Sequence, residues 1–328
     1  MSTIGWYVHH HGSGHLVRFL AVRPHLSDDV VVLSSLPEPA ALPPRTRWVV
    51  LDRDDDVVTG PDGVARDPHE ADPRAGGHLH WAPLHHPGHT RRLATIAEVV
   101  AAERPGAFVV DVSAEVGVLV RLLGVPLVAM TQPGVREDAP HRLARGLAHA
   151  VVAPWPAGRI AGAPPELHEV GGVSRFGGRP RSAAPEPGRV LLLGGGPEAP
   201  LRAPGTTGDW HWHRLGDEGW VEDPWHDLCR AEVIVSAAGQ NAVADLAAAG
   251  ARAVVIAQDR PFDEQRATAD ALREGGLAVV VDAWPDDDAW PALLEAARRL
   301  DPPWERWQVA GAAERAAAVI SSTTERWR

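Results

Sequence analysis

A glycine turn that ends in a histidine is the first feature of the chain that could do chemistry. Residues 4–8 predict a buried strand, and Gly12, Ser13, Gly14 and His15 follow it before a helical pattern begins. Glycines let backbone amides approach a ligand, and the N-terminus of a following helix favours an anion. At the start of this helix His15 could bind phosphate or act as a general base; capping of the turn is the structural alternative.

A second small-residue turn occurs in the second half of the chain. Residues 231–236 predict a strand, the turn contains Gly239, Gln240 and Asn241, and a helix follows. In open α/β sheets ligands bind at the carboxyl edge, where this turn would lie. Asp245 would lie about one helical turn further on, within reach of the ribose of a nucleotide whose phosphates bind at the turn. The alternative for Asp245 is a solvated acid on the helix surface.

A polar loop after the next predicted strand adds three candidate ligand-binding residues. Asp263, Glu264 and Gln265 stand where this loop enters a helix. Their side chains can accept hydrogen bonds from sugar hydroxyls or from a base. Any one of them could instead cap the helix.

Two acids in the first half are candidate general bases. Asp111 ends a predicted strand, and Glu115 opens the next helix behind Ser113, which can cap that helix. A carboxylate at the carboxyl end of a strand faces the cleft, so Asp111 or Glu115 could deprotonate an acceptor hydroxyl. Stabilisation of the helix dipole is the alternative role of Glu115.

The elements that must position these residues alternate between short apolar runs and longer amphipathic stretches, which is typical of parallel sheets with crossover helices. Strands are predicted at 4–8, 30–34, 47–51, 107–111, 126–130, 189–193, 210–214, 232–236, 252–257 and 277–281. Helices are predicted at 16–25, 93–103, 116–123, 240–249, 262–274, 289–299 and about 304–320. A segment rich in Pro, Gly and Arg at 175–188 predicts a linker. We therefore expect domains at 1–180 and 181–310, followed by a C-terminal helix or tail at 311–328.

Composition excludes several classes of function. The formal net charge is −11, which argues against nucleic-acid binding because phosphate contacts need a basic face. Cys229 is the single cysteine, so no intramolecular disulfide can form, and its surroundings predict a buried helix position. No apolar run has the length of a membrane span, and the N-terminus lacks the layout of a signal peptide. We expect a cytoplasmic protein, peripheral at most at the inner face of the membrane.

A histidine-rich stretch lies at the end of a long loop-like segment, residues 53–89. Long irregular insertions in α/β domains are often functional. His85, His86 and His89 could be considered as metal ligands, but no acidic or thiol partner follows them with the spacing of a zinc site. We expect neither a metal nor a cofactor.

The motifs resemble glycosyltransferase family 28. The resemblance covers residues 220–282 well, including the turn at Gly239, the helix of Asp245 and the run 260–265. The family's first glycine loop is matched by residues 12–15 in the first half of the chain. Its second glycine loop is matched by Gly194, Gly195 and Gly196. The resemblance implies an α/β fold of two Rossmann-like domains facing a cleft (GT-B), with the C-terminal helix crossing back.

The same resemblance implies an activity. A metal-independent hexosyltransferase would move the sugar of a nucleotide-diphosphate-sugar, with UDP favoured, to an acceptor that is lipid-linked or a small molecule. The turn at 239–241 would cradle the diphosphate, Asp245 would hold the ribose, and Gln265 would contact the sugar or the base. After Gly196 the chain departs from the family with a proline-rich stretch, 197–205, which puts the phosphate role of Gly194 and Gly195 in question.

Two other functions agree with the same residues. The first glycine loop also resembles that of the UDP-sugar hydrolase of pseudaminic acid synthesis, in which the matching histidine helps water to attack. A nucleotide-sugar-binding protein without catalysis is the third interpretation, supported by the shortened second loop. A NAD site is not expected, because the turn after the first strand lacks the third glycine of the dinucleotide fingerprint and no acid ends the second strand.

Overall fold

The computed structural model describes residues 2–60, 62–159, 164–193, 202–205, 207–215 and 221–327. The strands of the first half are β1 (Thr3–Tyr7), β2 (Asp29–Ser34), β3 (Thr46–Val50), β4 (Val58–Thr59), β5 (Ala65–Arg66), β6 (Ala107–Asp111), β7 (Leu127–Met130), β8 (Ala150–Ala153) and β9 (Leu167–Glu169). Its helices are α1 (Gly14–Val22), α2 (Pro87–Glu103), α3 (Ala114–Leu122) and α4 (Ala139–Leu147).

The first half builds one parallel sheet in the order β3-β2-β1-β6-β7-β8-β9. From β1 the chain continues to β2 on one side, whereas β6 lies on the other side of β1. The direction of strand order therefore reverses between β1 and β6, and open α/β sheets bind ligands at the carboxyl ends of such a pair. Residues 9–15 follow β1 and Asp111 ends β6, so several of the predicted site residues lie at this point.

The second half builds a smaller parallel sheet. Its strands are β10 (Arg189–Leu193), β11 (His211–Arg214), β12 (Val233–Ala237), β13 (Ala253–Ile256) and β14 (Val279–Val281), in the order β11-β10-β12-β13-β14. Its helices are α5 (Trp225–Arg230), α6 (Gln240–Ala249), α7 (Glu264–Gly275) and α8 (Trp290–Arg298), and the chain ends with α9 (Ala312–Arg326). The strand order reverses between β10 and β12, and α6 begins beyond the carboxyl end of β12.

Both faces of each sheet are buried, which explains the continuous apolar strands of the sequence. Along β1, Ile4 and Trp6 belong to the apolar cluster that contains α1, while Tyr7 belongs to the cluster that contains α2 and α3. The last helix, α9, contributes Ala316 and Ile320 to the first of these clusters. The C-terminal helix thus crosses back to the first domain, and the predicted fold of two Rossmann-like domains is confirmed.

Three local features differ from the sequence-based expectations. The helix predicted at about 304–320 is a short 3-10 turn (Trp304–Trp307) followed by α9, because Gln308 and Gly311 adopt left-handed φ values of 54° and 73° between them. The expectations lacked α4, although Asp138 caps it and Pro140 stands in its first turn, where proline is favoured. Helix α2 begins before residue 93 because His86 caps it.

The elements of the long loop-like segment outside the two sheets are short. The described residues of 53–60 and 62–86 form a short antiparallel pair, β4 and β5, with 3-10 turns and loops. The first sheet ends at Glu169 and the second begins at Arg189. Cys229 is buried in α5. Among the described residues, none of the helices combines the length and the apolar character needed to cross a bilayer.

Candidate functional site

The two domains touch where their helix N-termini meet. The side chain of Asn241, in the first turn of α6, donates through Nδ2 to the backbone oxygen of Gly14, in the first turn of α1, over 2.6 Å. The first amides of a helix have no partner within that helix, so two groups of free donors border the same cleft. This is the arrangement that an anion bound between the domains requires.

His15 and Asp111 form a close ion pair at this junction. Nδ1 of His15 lies 3.1 Å from Oδ1 of Asp111, which is fully buried. An ionised carboxylate only accepts, so it favours the tautomer of His15 with the proton on Nδ1, which leaves the lone pair on Nε2. The side chain of His15 keeps 11% exposure, so it is the member of the pair that a ligand can reach. The structure thus brings together two residues that the sequence offered as separate bases.

Arg18, which was not among the predicted site residues, completes the group. Its Nη1 donates to Asp111 over 2.8 Å and its Nη2 donates to Oε1 of Gln240 over 2.9 Å, so it reaches across to the second domain. The spacing of His15 and Arg18 could have indicated it, because residues three apart in sequence lie on the same face of a helix.

The charge of Asp111 is set by these neighbours. Burial acts to raise the pKa of Asp111, but the positive charge of Arg18 and the contact with His15 outweigh burial and lower the pKa below its usual value. Asp111 is therefore a carboxylate at neutral pH. A permanent negative charge beside Nδ1 stabilises the imidazolium that forms when Nε2 accepts a proton.

Gln240 and Asn241 act through their side chains as bridges between the domains. Besides accepting from Arg18, Gln240 donates through Nε2 to the backbone oxygen of Pro154 over 3.0 Å. Gly239 precedes the helix, and a Cβ built on it would meet no atom within 4 Å. Space for a ligand therefore lies beside Gly239, at the N-terminus of α6. The side chains of Gln240 and Asn241 fix the orientation of this N-terminus relative to the first domain.

Next to this junction lies a cavity of about 220 Å³ with a histidine-rich lining. His9 belongs to this lining, and its ring centroid is 5.6 Å from that of His15. Burial, followed by the neighbouring histidines, lowers the pKa of His9 well below its usual value, and burial also lowers the pKa of His10. The lining residues are Tyr7, His9, His10, His11, Asp54, His80, Trp81, His89, Arg92, Leu93, Val112, Ser113, Glu115 and Val116.

A buried ion pair supports one wall of this histidine-rich cavity. Arg92 pairs with Asp54 and donates to the hydroxyl of Tyr7 over 2.7 Å. Nδ1 of His89 lies 3.5 Å from the other carboxylate oxygen of Asp54. Burial opposes the charge of Asp54, but His89 and Arg92 lower its pKa overall. In this wall the negative charge of Asp54 is therefore compensated by the positive charge of Arg92.

Glu115 lies on the same cavity but holds a loop. It accepts from the backbone amides of His80 and Trp81 over 2.7 and 3.2 Å, and from the hydroxyl of Ser113 over 3.2 Å. Ser113 caps α3, as expected, by accepting from the amide of Val116. These three donors occupy the Glu115 carboxylate, which thereby anchors the loop beside the cavity.

The residue between Asp111 and Ser113 has an unusual backbone. Val112 has a φ of 66°, a left-handed conformation that β-branched residues rarely adopt. This turn directs the chain from the end of β6 into the cap of α3, and Val112 itself lines the histidine-rich cavity. The strain lies beside the His15–Asp111 pair, where backbone outliers often accompany function.

In the second domain, Asp245 is largely buried in α6. It accepts from the hydroxyl of Ser174 over 2.5 Å, and burial raises its pKa to about 6 although this hydrogen bond acts in the opposite direction. Gln265 is also buried, and its Oε1 accepts from the amides of Ala238 and Gln258 over 3.2 and 3.0 Å. Gln265 thereby holds the loops after β12 and β13 in position.

The other predicted ligand-binding residues are distributed around the cleft. Gly12 and Ser13 are exposed in the first turn, and Gly12 has a φ of 73° that favours glycine. Glu264 approaches Arg136 of the first domain to 3.5 Å, while Asp263 is exposed. Gly194 and Gly195 lie outside the described residues.

The histidines considered as metal ligands are not brought together. His86 caps α2, accepting through Nδ1 from the amide of His89 over 3.1 Å, and its Nε2 lies 2.9 Å from a backbone oxygen. Within the described part of the chain, two other groups bring three ligand atoms within 4.8 Å of one another: His10, His11 and Asp55, and His80, Asp138 and His141. Neither group could be read from local spacing.

No protein-family model matches the chain, and no curated protein matches its sequence. Solved structures do match. MurG of Acinetobacter baumannii has a TM-score of 0.65 at 18% identity, with 98% of this chain and 100% of MurG covered. The glycosyltransferase VinC in complex with dTDP has a TM-score of 0.62 at 14% identity, with 99% and 100% covered.

A plant protein gives the same result over the same length. A UDP-glucosyltransferase from Polygonum tinctorium that glucosylates indoxyl has a TM-score of 0.63 at 11% identity, with 99% of this chain and 97% of that protein covered. At such identities the likeness concerns the fold rather than the substrate. The chain therefore has the GT-B fold of glycosyltransferases, resembling family 28, over its whole length.

Proposed function

We propose that this chain is a family 28-like glycosyltransferase that moves a hexosyl group from a nucleotide-diphosphate-sugar, with a UDP-sugar favoured, to an acceptor hydroxyl. The observation that carries the proposal is the His15–Asp111 pair, with 3.1 Å between Nδ1 and Oδ1, placed between a histidine-rich cavity and the N-terminus of α6. A base of this kind is useful where an acceptor and an anionic leaving group meet.

The donor would bind against the second domain. Its diphosphate lies at Gly239 and the first amides of α6, where the helix dipole and free N–H groups favour negative charge. Asp245 accepts from a ribose hydroxyl one turn further along the helix, and Gln265 contacts the sugar or the base. Gly12, Ser13 and Gly14 face the diphosphate from the first domain, with Gly194 and Gly195 proposed on the donor side.

The acceptor would lie on the side of the histidine-rich cavity. Nε2 of His15 removes the proton of the acceptor hydroxyl as its oxygen bonds to the anomeric carbon of the sugar. The bond between that carbon and the phosphate oxygen breaks, and the nucleoside diphosphate leaves with both electrons. The two helix N-termini stabilise the charge on the phosphate, so no metal is required for departure.

Asp111 and Glu115 then have supporting parts. Asp111 is fully buried, so it orients His15 and stabilises its protonated form rather than touching the acceptor. Glu115 holds the cavity loop through His80 and Trp81. Arg18 fixes Asp111 and ties it to Gln240, which couples the base to the correct position of the second domain.

Hydrolysis of the nucleotide-sugar is the second candidate function. The observation that favours it is the polar lining of the cavity. Its histidines and the charged side chains of Asp54, Arg92 and Glu115 would bind water molecules by hydrogen bonds. The chemistry is the same, with water in place of the acceptor hydroxyl. Release of free sugar in the absence of an acceptor, at the rate seen in its presence, would identify the chain as a hydrolase.

The donor site is tested by calorimetric titration of the full chain with UDP, dTDP, GDP and ADP. Saturable binding of UDP, weakened by Asp245→Ala, supports the proposal. The matched control is Asp301→Ala, which removes an exposed acid next to Leu300, whose oxygen contacts Arg252 at the amino edge of the second sheet. Failure of all four nucleotides to bind overturns the donor site, and equal weakening by both substitutions removes Asp245 from it.

A further inference from the structure

Two segments far apart in sequence place three metal-ligating side chains together. His10 and His11 follow β1, and Asp55 lies in the loop that follows β3, in the same sheet. Nε2 of His10 and Nε2 of His11 lie 3.4 and 3.2 Å from the same carboxylate oxygen, Oδ2 of Asp55. All three ligand atoms are within 4.8 Å of one another.

These distances suit a shared ion at least as well as direct hydrogen bonds. N–H···O bonds in proteins are about 2.7–3.2 Å long, so the His10–Asp55 contact is long for such a bond. Two ligand atoms bound to one tetrahedral ion at about 2.0–2.1 Å are roughly 3.3 Å apart. A small shift of the side chains would therefore bring three ligands onto one ion.

Two polar atoms of the cluster lack partners in a place where a partner is expected. Nδ1 of His10 and Oδ1 of Asp55 are buried and make no hydrogen bond to any described residue. The side chain of His10 is only 3% exposed, so these atoms are withdrawn from bulk solvent. Buried polar groups are normally satisfied. An ion bound by either carboxylate oxygen of Asp55 would give the carboxylate the partner that Oδ1 lacks.

The surroundings resemble those of bound metals in charge and accessibility. Arg53 donates to Oδ2 of Asp55 over 2.6 Å, and ligating carboxylates are commonly held by an outer hydrogen bond of this kind. Asp54 adds a second carboxylate, 3.9 Å from Nε2 of His10. The side chain of His11 is 65% exposed, which leaves an entry path on one side of an otherwise enclosed group.

The second group of ligand atoms serves as an internal comparison. Oδ1 of Asp138 accepts from Nδ1 of His141 over 2.7 Å and from the amide that it caps in α4. Nε2 of His141 lies 3.0 Å from Nη1 of Arg136, and His80 lies 3.2 Å from Asp138. This group is a satisfied hydrogen-bond network, and none of its side-chain atoms is among the buried atoms that lack a partner, so it is the poorer metal site.

We propose that His10, His11 and Asp55 bind one divalent transition-metal ion, of the kind that prefers imidazole nitrogen and carboxylate oxygen, with Zn²⁺ as the representative ion. Three protein ligands leave at least one coordination position open. His10 and His11 also line the histidine-rich cavity, so a ligand in that cavity with an oxygen donor can occupy the open position. This binding does not depend on the proposed sugar transfer.

The test is a calorimetric titration of the metal-stripped full chain with ZnCl₂, with MgCl₂ as a parallel titrant. One saturable Zn²⁺ site, absent with Mg²⁺, is expected. His11→Gln removes an exposed ligand without disturbing the core, and Asp55→Asn removes the carboxylate charge. Each should weaken Zn²⁺ binding by at least about tenfold, since loss of outer partners alone costs that much.

Two controls make the outcome decisive. His80→Gln removes a ligand of the comparison group and should leave the affinity unchanged. His85→Gln removes an exposed histidine outside both groups and should also have no effect. The proposal is overturned if Zn²⁺ shows no saturable site, if His11→Gln and Asp55→Asn bind as well as the parent, or if His80→Gln abolishes binding.

Discussion

Asp111 of the first domain and Asp245 of the second are carboxylates withdrawn from solvent, and their neighbours act on them in opposite ways. Asp111 of the first domain contacts a cation, Arg18, and a histidine, and its pKa lies below the usual value despite full burial. Asp245 of the second domain contacts the neutral hydroxyl of Ser174, and burial raises its pKa to about 6. Burial acts to raise the pKa of both carboxylates. The difference between their pKa values therefore comes from their partners.

Under the proposed function, the difference suits the two acids to different tasks. A carboxylate that stays ionised throughout the neutral range can stabilise positive charge on its histidine in every catalytic cycle. A carboxylate that titrates near pH 6 is ionised at pH 7 at a cost to stability, and a hydroxyl-bearing ligand that donates to it would relieve that cost. The first arrangement suits support of a base, whereas the second suits recognition of a ribose.

The largest expected effect concerns the reactive member of the first group. His15→Gln should lower kcat by about 10²–10⁴-fold, because general-base catalysis contributes that much, while nucleotide affinity stays unchanged. The measurement is turnover of the donor together with calorimetric affinity for the nucleotide. His25→Gln, at the far end of the same helical segment, is the matched control. Full activity of His15→Gln would remove this histidine from the mechanism.

Asp111→Asn tests the permanent charge. Since the substitution leaves the buried guanidinium of Arg18 without its counter-ion, we expect a loss of about 3–5 kcal/mol in the free energy of unfolding at pH 7. A lowered pKa means that the stabilisation is present above the unfolded pKa of about 4 and is lost as pH falls through the folded value. Denaturant unfolding at pH 7 and pH 3 should therefore show a smaller difference at pH 3. A loss of the same size at both pH values would contradict the assigned charge.

Asp245→Asn should act in the opposite direction. The folded pKa of about 6 exceeds the unfolded value of about 3.9, so the parent loses stability as pH rises between these values. Two pKa units correspond to at most about 3 kcal/mol, so the variant should gain up to that amount at pH 8 and nothing at pH 4. Thermal unfolding at both pH values measures this. A variant less stable than the parent at pH 8 would show that the carboxylate is stabilised by charge after all.

The same comparison shows where sequence reasoning succeeds. The turns at Gly12 and Gly239 and the acid at the end of β6 are local features, and each parallel sheet places those that follow its own strands at its carboxyl edge. The partners of Asp111 and Asp245 are not local, since Ser174 is 71 residues from Asp245 and Arg18 is 93 residues from Asp111. Which buried acid obtains a cation therefore depends on how helices pack across the sheet, and no spacing along the chain encodes it.

The smallest expected effect concerns the hydrogen bond that joins the two domains at their helix N-termini. Asn241→Ala removes the 2.6 Å hydrogen bond to the oxygen of Gly14, a bond that joins α6 to α1. A single hydrogen bond of this kind contributes about 1 kcal/mol, so the free energy of unfolding should fall by roughly that amount. If the bond also sets the separation of the helix N-termini around the diphosphate, nucleotide affinity should fall with it. Asn241→Asp is the sharper variant, because a carboxylate there repels the Gly14 oxygen and the diphosphate together. A stable variant with unchanged nucleotide affinity would mean that Gln240 and Arg18 alone hold the domains in register.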